Sequence, residues 1–228
     1  MNYYWINNDL ETKAVGKKYP QVECNNQWYA HAIPDFGPCK NKFKLSFNLV
    51  KGTKLTDVLS TVSISASGFI ISERFRKILE NYKLEQYELI PAEIINRDQT
   101  YNYYFLHFYG LDMVHYLDYQ QTIFRIIRRF TDLGTKKFDY FDSYMTFLKE
   151  FDEECSLIVH LDNLVLKEEF NDFDMFSFPN FGHDIFISER MKQCIEEYRI
   201  TGLSIKKNFL DYLGEFRIDG TAENAKFK

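Results

Sequence analysis

The sequence predicts an α+β fold that is rich in β-strands, with antiparallel or mixed sheets and a few packed helices. Three observations support this class. Segments with the composition of strands outnumber segments with helical spacing along the 228 residues. Apolar and polar residues alternate regularly over 42–50. A strand followed by a helix and a returning strand occurs twice, which predicts one structural unit used two times.

The first 66 residues are predicted to contain mainly strands and loops. Trp28–Ile33 and Lys42–Val50 are the clearest strands, and the turn-forming residues 34–38 separate them. In the second segment the apolar residues occupy every other position, which is typical of a strand with one buried face. No linker rich in Pro, Gly or Ser marks a boundary along the chain.

The tripeptide Ser-Glu-Arg occurs twice, each time between an apolar strand and a helix-like segment. The first unit covers 67–95 and the second covers 184–207. Ser72 and Ser188 are the predicted N-caps, because a serine hydroxyl can accept a backbone N–H that has no partner in the first helical turn. The glutamate that follows each serine lies where the helix dipole favours a negative charge. An alignment of the two copies without a gap gives six identical pairs: Ile71/Ile187, Ser72/Ser188, Glu73/Glu189, Arg74/Arg190, Glu80/Glu196 and Tyr82/Tyr198.

Three strands are predicted after the first helix. Tyr87–Ile95 is the returning strand of the first unit. Pro91 within it indicates an edge position or a bulge, because proline donates no hydrogen bond to a ladder. Tyr101–Tyr109 is the next strand, and Met113–Leu117 is a further short one.

Residues 121–150 allow two interpretations at their start, where an apolar stretch with three arginines fits either an amphipathic helix or a strand. Asp142–Phe151 is predicted as a helix and Ser156–Leu166 as a strand. The acidic stretch 168–174 is expected to be exposed. The tail after Gly220 is polar and is expected to be frayed.

Charge and composition exclude several classes of function. The net charge is −5 and the isoelectric point is about 5.6, so no basic surface for nucleic acid is expected. The N-terminus lacks the features of a signal peptide, and no apolar run is long enough to span a membrane. We therefore expect a cytoplasmic protein whose partners include neither nucleic acid nor a membrane.

The spacing of cysteines and histidines predicts neither a metal site nor a cofactor. The four cysteines form no Cys-x-x-Cys pair, and reduced thiols are expected. Cys24, His31 and Cys39 form a cluster in sequence that lacks a fourth ligand nearby. The chain also contains no glycine-rich phosphate loop, no Gly-x-Ser-x-Gly elbow and no His-Glu-x-x-His motif. No catalytic residue is therefore predicted.

Acidic residues of the second half are the candidate partner-binding residues. They lie beside aromatic residues, which would suit recognition of a basic protein, and the simpler interpretation is a solvated acidic face. The segment 171–174 resembles a fragment of a calcium loop but lacks the glycine at the sixth position and the glutamate at the twelfth. The candidates are Asp139, Asp142, Glu168, Glu169, Asp172 and Asp174.

The order of the motifs resembles that of a known family. The chain has Tyr-Glu-Leu-Ile-Pro-Ala-Glu-Ile at 87–94 between its two Ser-Glu-Arg units, and Leu-Asp-Met-Val-His-Tyr-Leu-Asp follows at 111–118. The second helix closes on Thr-Gly-Leu at 201–203. Over residues 67–207 the chain resembles the bacterial immunity proteins of polymorphic toxin systems.

This resemblance implies a cytoplasmic protein encoded beside a secreted or contact-delivered toxin, which it binds and neutralises to protect the producing cell. It implies no catalysis and no cofactor. A basic toxin such as a nuclease would suit the acidic charge of the chain. Residues 67–228 would form the immunity domain and residues 1–66 a variable, β-rich N-terminal region, and the alternative is a single domain.

Two other functions stay open from the residues alone. One is a small enzyme, which would bring His107, His115 or His160 together with a cysteine or carboxylates in one pocket. The other is a ligand-binding module of a secretion system, which would contain an apolar pocket.

Overall fold

The computed structural model describes residues 2–110, 112–128, 131–151, 157–170 and 173–207. Within these ranges the fold is α+β and rich in strands, as predicted. The strands are β1 (Tyr3–Asn8), β2 (Val22–Cys24), β3 (Leu45–Leu49), β4 (Val58–Leu59), β5 (Gly68–Ser72), β6 (Tyr87–Asn96), β7 (Gln99–Phe108), β8 (Ile123–Arg128), β9 (Thr131–Lys136), β10 (Leu157–Asn163), β11 (Met175–Phe178), β12 (Asp184–Ser188) and β13 (Leu203–Lys206). The helices are α1 (Thr12–Val15), α2 (Gln27–His31), α3 (Glu73–Leu79), α4 (Phe141–Phe151) and α5 (Glu189–Glu197), with a 3₁₀ helix at Asp112–Tyr116.

The described strands form three sheets. The largest is mixed and has the order β2-β3-β6-β7-β5-β4, in which β3 and β6 are parallel. A four-stranded antiparallel sheet has the order β11-β12-β1-β13, and a three-stranded antiparallel sheet has the order β10-β8-β9. Because β1 lies between β12 and β13, the first strand of the chain pairs with the second repeated unit.

One hydrophobic core is shared by the two repeated units. Each unit contributes a strand, β5 or β12, and the helix that follows it, α3 or α5. Residues at the same position of the two copies lie in the same buried cluster: Ile71 and Ile187, Phe75 and Met191, and Leu79 and Ile195. On each helix these side chains recur at helical spacing and form one apolar stripe. The two copies therefore pack against each other through this cluster.

A second core is mainly aromatic and joins the three-stranded sheet, the four-stranded sheet and α4. Its rings make close contacts, with centroid distances of 4.7 Å between Tyr144 and Phe181 and 5.0 Å between Phe124 and Phe138. Part of the high aromatic content of the sequence is thus used for internal packing, where ring pairs add about 1 kcal/mol each beyond their buried area.

The predicted strand Trp28–Ile33 is wrong, because residues 27–31 form α2. The segment is rich in residues that favour strands, but its buried residues are Ala30 and Ile33, which are three positions apart. Ala30 lies within α2 and Ile33 just beyond its end, and the segment lacks the alternating burial of a half-buried strand. Trp28 points away from the core and is 83% exposed.

The predicted short strand Met113–Leu117 is wrong, because residues 112–116 form the 3₁₀ helix. The consecutive residues Met113 and Val114 are both buried, which does not fit the alternation of a strand with one buried face. Leu117, just after the helix, makes an isolated β-bridge to Leu166.

The strand interpretation is correct at the start of residues 121–150. Phe124 and Ile126 of β8 are buried, and the intervening Arg125 makes ion pairs on both neighbouring strands. Its guanidinium lies 2.7 Å from Asp132 of β9 and 3.0 Å from Asp162 of β10. Two strands, β8 and β9, therefore precede α4, and the helix predicted near residue 142 is confirmed.

Pro91 lies at a local edge of the six-stranded sheet. Strand β6 pairs with β7 along its whole length, but its ladder with β3 begins only at Ala92, opposite Leu45. Proline at position 91 therefore removes no hydrogen bond to β3. The edge position that the sequence indicated is confirmed on that side of the strand.

Because the two copies share this core, substitutions at the same position of each copy should lower stability by similar amounts. Ile71 and Ile187 are both fully buried, so Ile71→Val and Ile187→Val should each lower the free energy of unfolding by about 0.5–1.5 kcal/mol. Urea denaturation followed by circular dichroism measures this change. Val62→Ala, at a side chain that is 69% exposed, is the control and should be close to neutral. A full cost at one isoleucine and none at the other would contradict the equivalence of the two copies.

Candidate functional site

The first Ser-Glu-Arg motif begins a helix and is bound by a buried aspartate. The Ser72 hydroxyl accepts the backbone N–H of Phe75 at 3.1 Å, which makes it the N-cap of α3. The same hydroxyl donates to Asp57 Oδ1 at 2.9 Å. The Arg74 guanidinium donates to the other carboxylate oxygen of Asp57 at 3.2 Å. Cap, arginine and carboxylate thus form one local hydrogen-bonded group.

The second motif has the same arrangement around a different aspartate. The Ser188 hydroxyl accepts the backbone N–H of Met191 at 3.2 Å and donates to Asp174 Oδ1 at 2.9 Å. The Arg190 guanidinium forms two hydrogen bonds to this carboxylate, one of them from Nε at 3.0 Å. The repeated tripeptide therefore marks two equivalent carboxylate clamps.

Each clamp also accepts a backbone N–H from the other copy. Asp57 Oδ2 accepts the N–H of Thr201 at 3.1 Å, in the segment that leaves α5. Asp174 Oδ2 accepts the N–H of Lys83 at 2.9 Å, in the segment that leaves α3. Such an exchange, in which each copy gives the other the same kind of contact, is the pattern of an approximate twofold axis. We call the two groups together the reciprocal clamps.

The two aspartates belong to the repeat, although an alignment without a gap does not reveal them. Asp57 begins the tetrapeptide Asp-Val-Leu-Ser, and Asp174 begins Asp-Met-Phe-Ser. The two tetrapeptides are offset by one residue more than the Ser-Glu-Arg motifs. The shared pattern Asp-x-x-Ser, at the start of β4 and of β11, is the signal that finds these residues.

The expectation that the whole stretch 168–174 is exposed is wrong at Asp174. Its carboxylate is held in the second clamp, and the residue is only 4% exposed. Burial on its own costs a carboxylate several kcal/mol, so the chain supplies charged and backbone donors that satisfy it. Asp172, another predicted partner-binding residue, lies outside the described residues.

The other four predicted partner-binding residues are at the surface: Asp139, Asp142, Glu168 and Glu169. Tyr140 lies between the two aspartates in sequence and is 60% exposed. Both acidic segments lie against residues 116–119. Leu166 bridges to Leu117, and the ring of Phe141 lies 6.3 Å from that of Tyr119.

A polar cleft of about 170 Å³ lies where the two copies meet. Ser67 and His183 occupy equal positions in the two copies, and the serine Oγ lies 2.8 Å from His183 Nδ1. On the other side of the cleft His160 Nδ1 lies 2.9 Å from Asp184 Oδ1. Burial lowers the pKa of His183, which keeps this imidazole neutral near pH 7.

The cleft contains the residue types of a catalytic triad in an arrangement that does not connect them. In a triad a single imidazole bonds both the serine and the carboxylate. Here the histidine beside Ser67 is not the one beside Asp184. The carboxylate of Asp184 also accepts the Trp5 indole N–H at 2.8 Å and the backbone N–H of Leu161 at 2.9 Å. The geometry therefore supports a structural junction.

The structure forms a different cluster around Cys39 from the Cys24–His31–Cys39 group seen in sequence. Cys39, Glu88 and His107 have potential ligand atoms that all lie within 4.8 Å of one another. Burial and contact with Glu88 raise the pKa of the Cys39 thiol to about 12. A nucleophilic cysteine has a lowered pKa, so this thiol is not an activated nucleophile.

The enzyme interpretation required His107, His115 or His160 to meet a cysteine or carboxylates in one pocket. His107 is in the cluster with Cys39, and His160 lines the polar cleft. His115 is exposed at the 3₁₀ helix, where its carbonyl accepts the Lys167 ammonium at 2.8 Å. The required neighbours are therefore present at His107, which lies beside Cys39 and Glu88, and at His160, which lies beside Asp184.

Comparison with models of protein families matches residues 11–208 to the immunity protein family Imm11. The match covers well over half of the chain. The chain belongs to the Imm11 immunity protein family. No curated protein gives a significant match. The matched part of this immunity protein includes residues 11–66, which precede the two Ser-Glu-Arg units.

The described part of this Imm11 protein contains no helix that is long and apolar enough to cross a membrane. The reciprocal clamps and the Ser67–His183 contact of the polar cleft join the two copies. Neighbouring residues in the sequence do not reveal these contacts, because each is completed by a group from a distant segment of the chain.

The second clamp predicts an acid-dependent loss of stability that depends on Asp174. Burial acts to raise the pKa of this carboxyl, but hydrogen bonds from Arg190, Lys83 and Ser188 outweigh it and the pKa is lowered. Its contribution is therefore complete above the unfolded-state pKa of about 3.9 and is lost as the pH falls through the lower folded-state pKa. Asp174→Asn should lower the free energy of unfolding by about 2 kcal/mol at pH 7 and by much less at a pH below the folded-state pKa of Asp174.

Urea denaturation at a series of pH values measures this difference between wild type and variant. Asp98→Asn, at the exposed turn between β6 and β7, is the matched control and should change stability by less than about 0.5 kcal/mol. A cost for Asp174→Asn that stays constant down to pH 2.5 would show that the carboxylate charge does not contribute.

Proposed function

We propose that this immunity protein is a stoichiometric inhibitor that binds its cognate toxin in the cytoplasm and catalyses no reaction. Family membership supports the toxin as partner. The described polar groups support the absence of catalysis. The Cys39 thiol has a raised pKa, and the histidines of the polar cleft do not link Ser67 to Asp184.

The surface that best suits this role is the exposed acidic segment around Tyr140. Tyr140 is a large side chain with 60% exposure, and Asp139 and Asp142 beside it are also exposed. An aromatic residue that can be buried by a partner is the usual energetic centre of an interface, and flanking charges select the partner and speed association. The exposed Tyr140 ring between two exposed carboxylates therefore supports this segment as the binding surface.

Glu168 and Glu169 extend this surface in our proposal. They follow Leu166, which makes a β-bridge to Leu117. Phe141 of α4 contacts Tyr119, which is two residues after Leu117, so both acidic segments pack near the same stretch of chain. We name Asp139, Tyr140, Asp142, Glu168 and Glu169 the acidic face. Its charge favours a basic toxin surface.

The distribution of charge along the chain agrees with this choice. The first 66 residues carry eight lysines, no arginine and five acidic residues, a net charge of +3, so the rest of the chain carries −8. The most exposed tryptophan, Trp28, lies in the lysine-rich part and provides a comparison surface of opposite charge.

Titration of the toxin encoded beside this gene against the purified protein tests both parts of the proposal. Inhibition should end at one equivalent of immunity protein, because a stoichiometric inhibitor does not turn over. Tyr140→Ala should weaken binding by at least about 30-fold, the effect of losing about 2 kcal/mol at an interface centre. Protection at a small fraction of one equivalent would instead indicate catalysis.

Charge removal on the acidic face should act mainly on the association rate. A variant with Asp139→Asn and Asp142→Asn should associate more slowly at low salt and show a weaker dependence on ionic strength. Stopped-flow mixing at several salt concentrations measures both. A variant with Glu23→Gln and Asp98→Asn removes two exposed charges elsewhere and should behave as wild type. A loss confined to Trp28→Ala would move the binding surface to α2.

A further inference from the structure

We propose that Cys39, Glu88 and His107 form a binding site for a divalent transition metal ion, with Zn²⁺ as the best match. Their potential ligand atoms are a thiol sulfur, a carboxylate oxygen and an imidazole nitrogen, and all lie within 4.8 Å of one another. Sulfur, nitrogen and oxygen ligands of this kind are those that Zn²⁺ takes in proteins. The proposal does not depend on the acidic face or on toxin binding.

The fold brings the three residues together on rigid elements. Glu88 of β6 and His107 of β7 are direct partners in the antiparallel ladder between these strands. Cys39 arrives from the loop between α2 and β3, and its backbone N–H donates to Glu88 Oε1 at 2.7 Å. Sites on paired strands keep their geometry better than sites on loops alone, so little ordering is needed when an ion binds.

The imidazole of His107 is already oriented. The residue is 0% exposed. Its ring stacks with that of Phe105 and packs against that of Tyr109, with distances between ring centroids of 6.1 Å and 5.7 Å. His107 Nδ1 lies 3.0 Å from Glu88 Oε1. Two ligand atoms about 2.05 Å from a tetrahedral Zn²⁺ are roughly 3.3 Å apart, so a shift of a few tenths of an ångström would admit the ion.

Hydrogen bonds occupy the same place when no ion is bound. The Cys39 thiol and the His107 imidazole both contact the Glu88 carboxylate, and these contacts lower the pKa of Glu88 against the opposing effect of burial. A metal ion would replace the proton on sulfur and the proton shared by nitrogen and oxygen. The cluster can thus exist as a hydrogen-bonded group or as a metal site. Added metal ions should bind to the cluster only in the second case.

The donor set also limits the strength of the site. Three protein ligands leave one tetrahedral position for water or for a group of a partner. Zinc-bound histidines usually donate their second N–H to an acceptor, whereas His107 Nε2 has no hydrogen-bond partner among the described residues. We therefore expect reversible binding that a strong chelator removes, and not a permanently bound structural ion.

Cobalt titration of the full-length, metal-free protein without a histidine tag tests this proposal. Co²⁺ substitutes for Zn²⁺ and gives an absorption band for charge transfer from a thiolate ligand. One equivalent of Co²⁺ should produce this band, and Zn²⁺ should remove it by competition. Zn²⁺ should also raise the midpoint of thermal unfolding, because the ion binds the folded state.

Cys39→Ser is the decisive variant, since its hydroxyl can still donate to Glu88 and preserve the fold. It should lose the thiolate band and bind Zn²⁺ at least about tenfold more weakly. Glu88→Gln should weaken binding while keeping the thiolate band at high Co²⁺. Cys24→Ser, at a buried cysteine that also precedes β3, is the matched control and should titrate as wild type.

Two results would overturn the metal site. One is the absence of a thiolate band in the wild-type protein at Co²⁺ concentrations up to millimolar. The other is a band that Cys39→Ser leaves unchanged, which would assign the thiolate to a different cysteine. In either case Cys39, Glu88 and His107 form a hydrogen-bonded group that binds no metal ion.

Discussion

The exchange of backbone N–H groups between the two repeated units is the constraint on which the structure depends. A buried carboxylate is tolerated only when donors surround it. Asp57 and Asp174 obtain a serine and an arginine from their own copy, but each needs a backbone donor from the other copy. Neither aspartate is fully satisfied until both helices are in place. The clamps therefore link residue 57 to residue 201 and residue 83 to residue 174, and they enclose the core that the two copies share.

Local features of this fold can be predicted from sequence, and contacts between distant segments cannot. The caps at Ser72 and Ser188 and the strands before them follow from the order of neighbouring residues. The partners of those caps do not, because Asp57 lies 15 positions before Ser72 and Asp174 lies 14 before Ser188. This difference of one residue is enough to hide both aspartates from an alignment without gaps.

The errors in secondary structure have a common physical cause. Trp28–Ile33 and Met113–Leu117 contain residues that favour strands, but each segment lies largely in a short helix whose buried residues do not alternate. Tertiary packing decided both cases. The same limit applies to Cys39, whose neighbours Glu88 and His107 come from two strands that only the sheet brings together.

The approximate twofold relation has a consequence for how the protein behaves at low abundance. Two identical subunits joined by such contacts would separate on dilution, whereas here a single chain tethers both halves and their association does not depend on concentration. The tether also frees the two halves to differ. Ser67 and His183 occupy the same repeat position and contact each other, a pairing of unlike residues that a symmetric dimer of identical chains could not make across its axis. A single copy of this chain therefore contains both sides of the contact between its two repeated units.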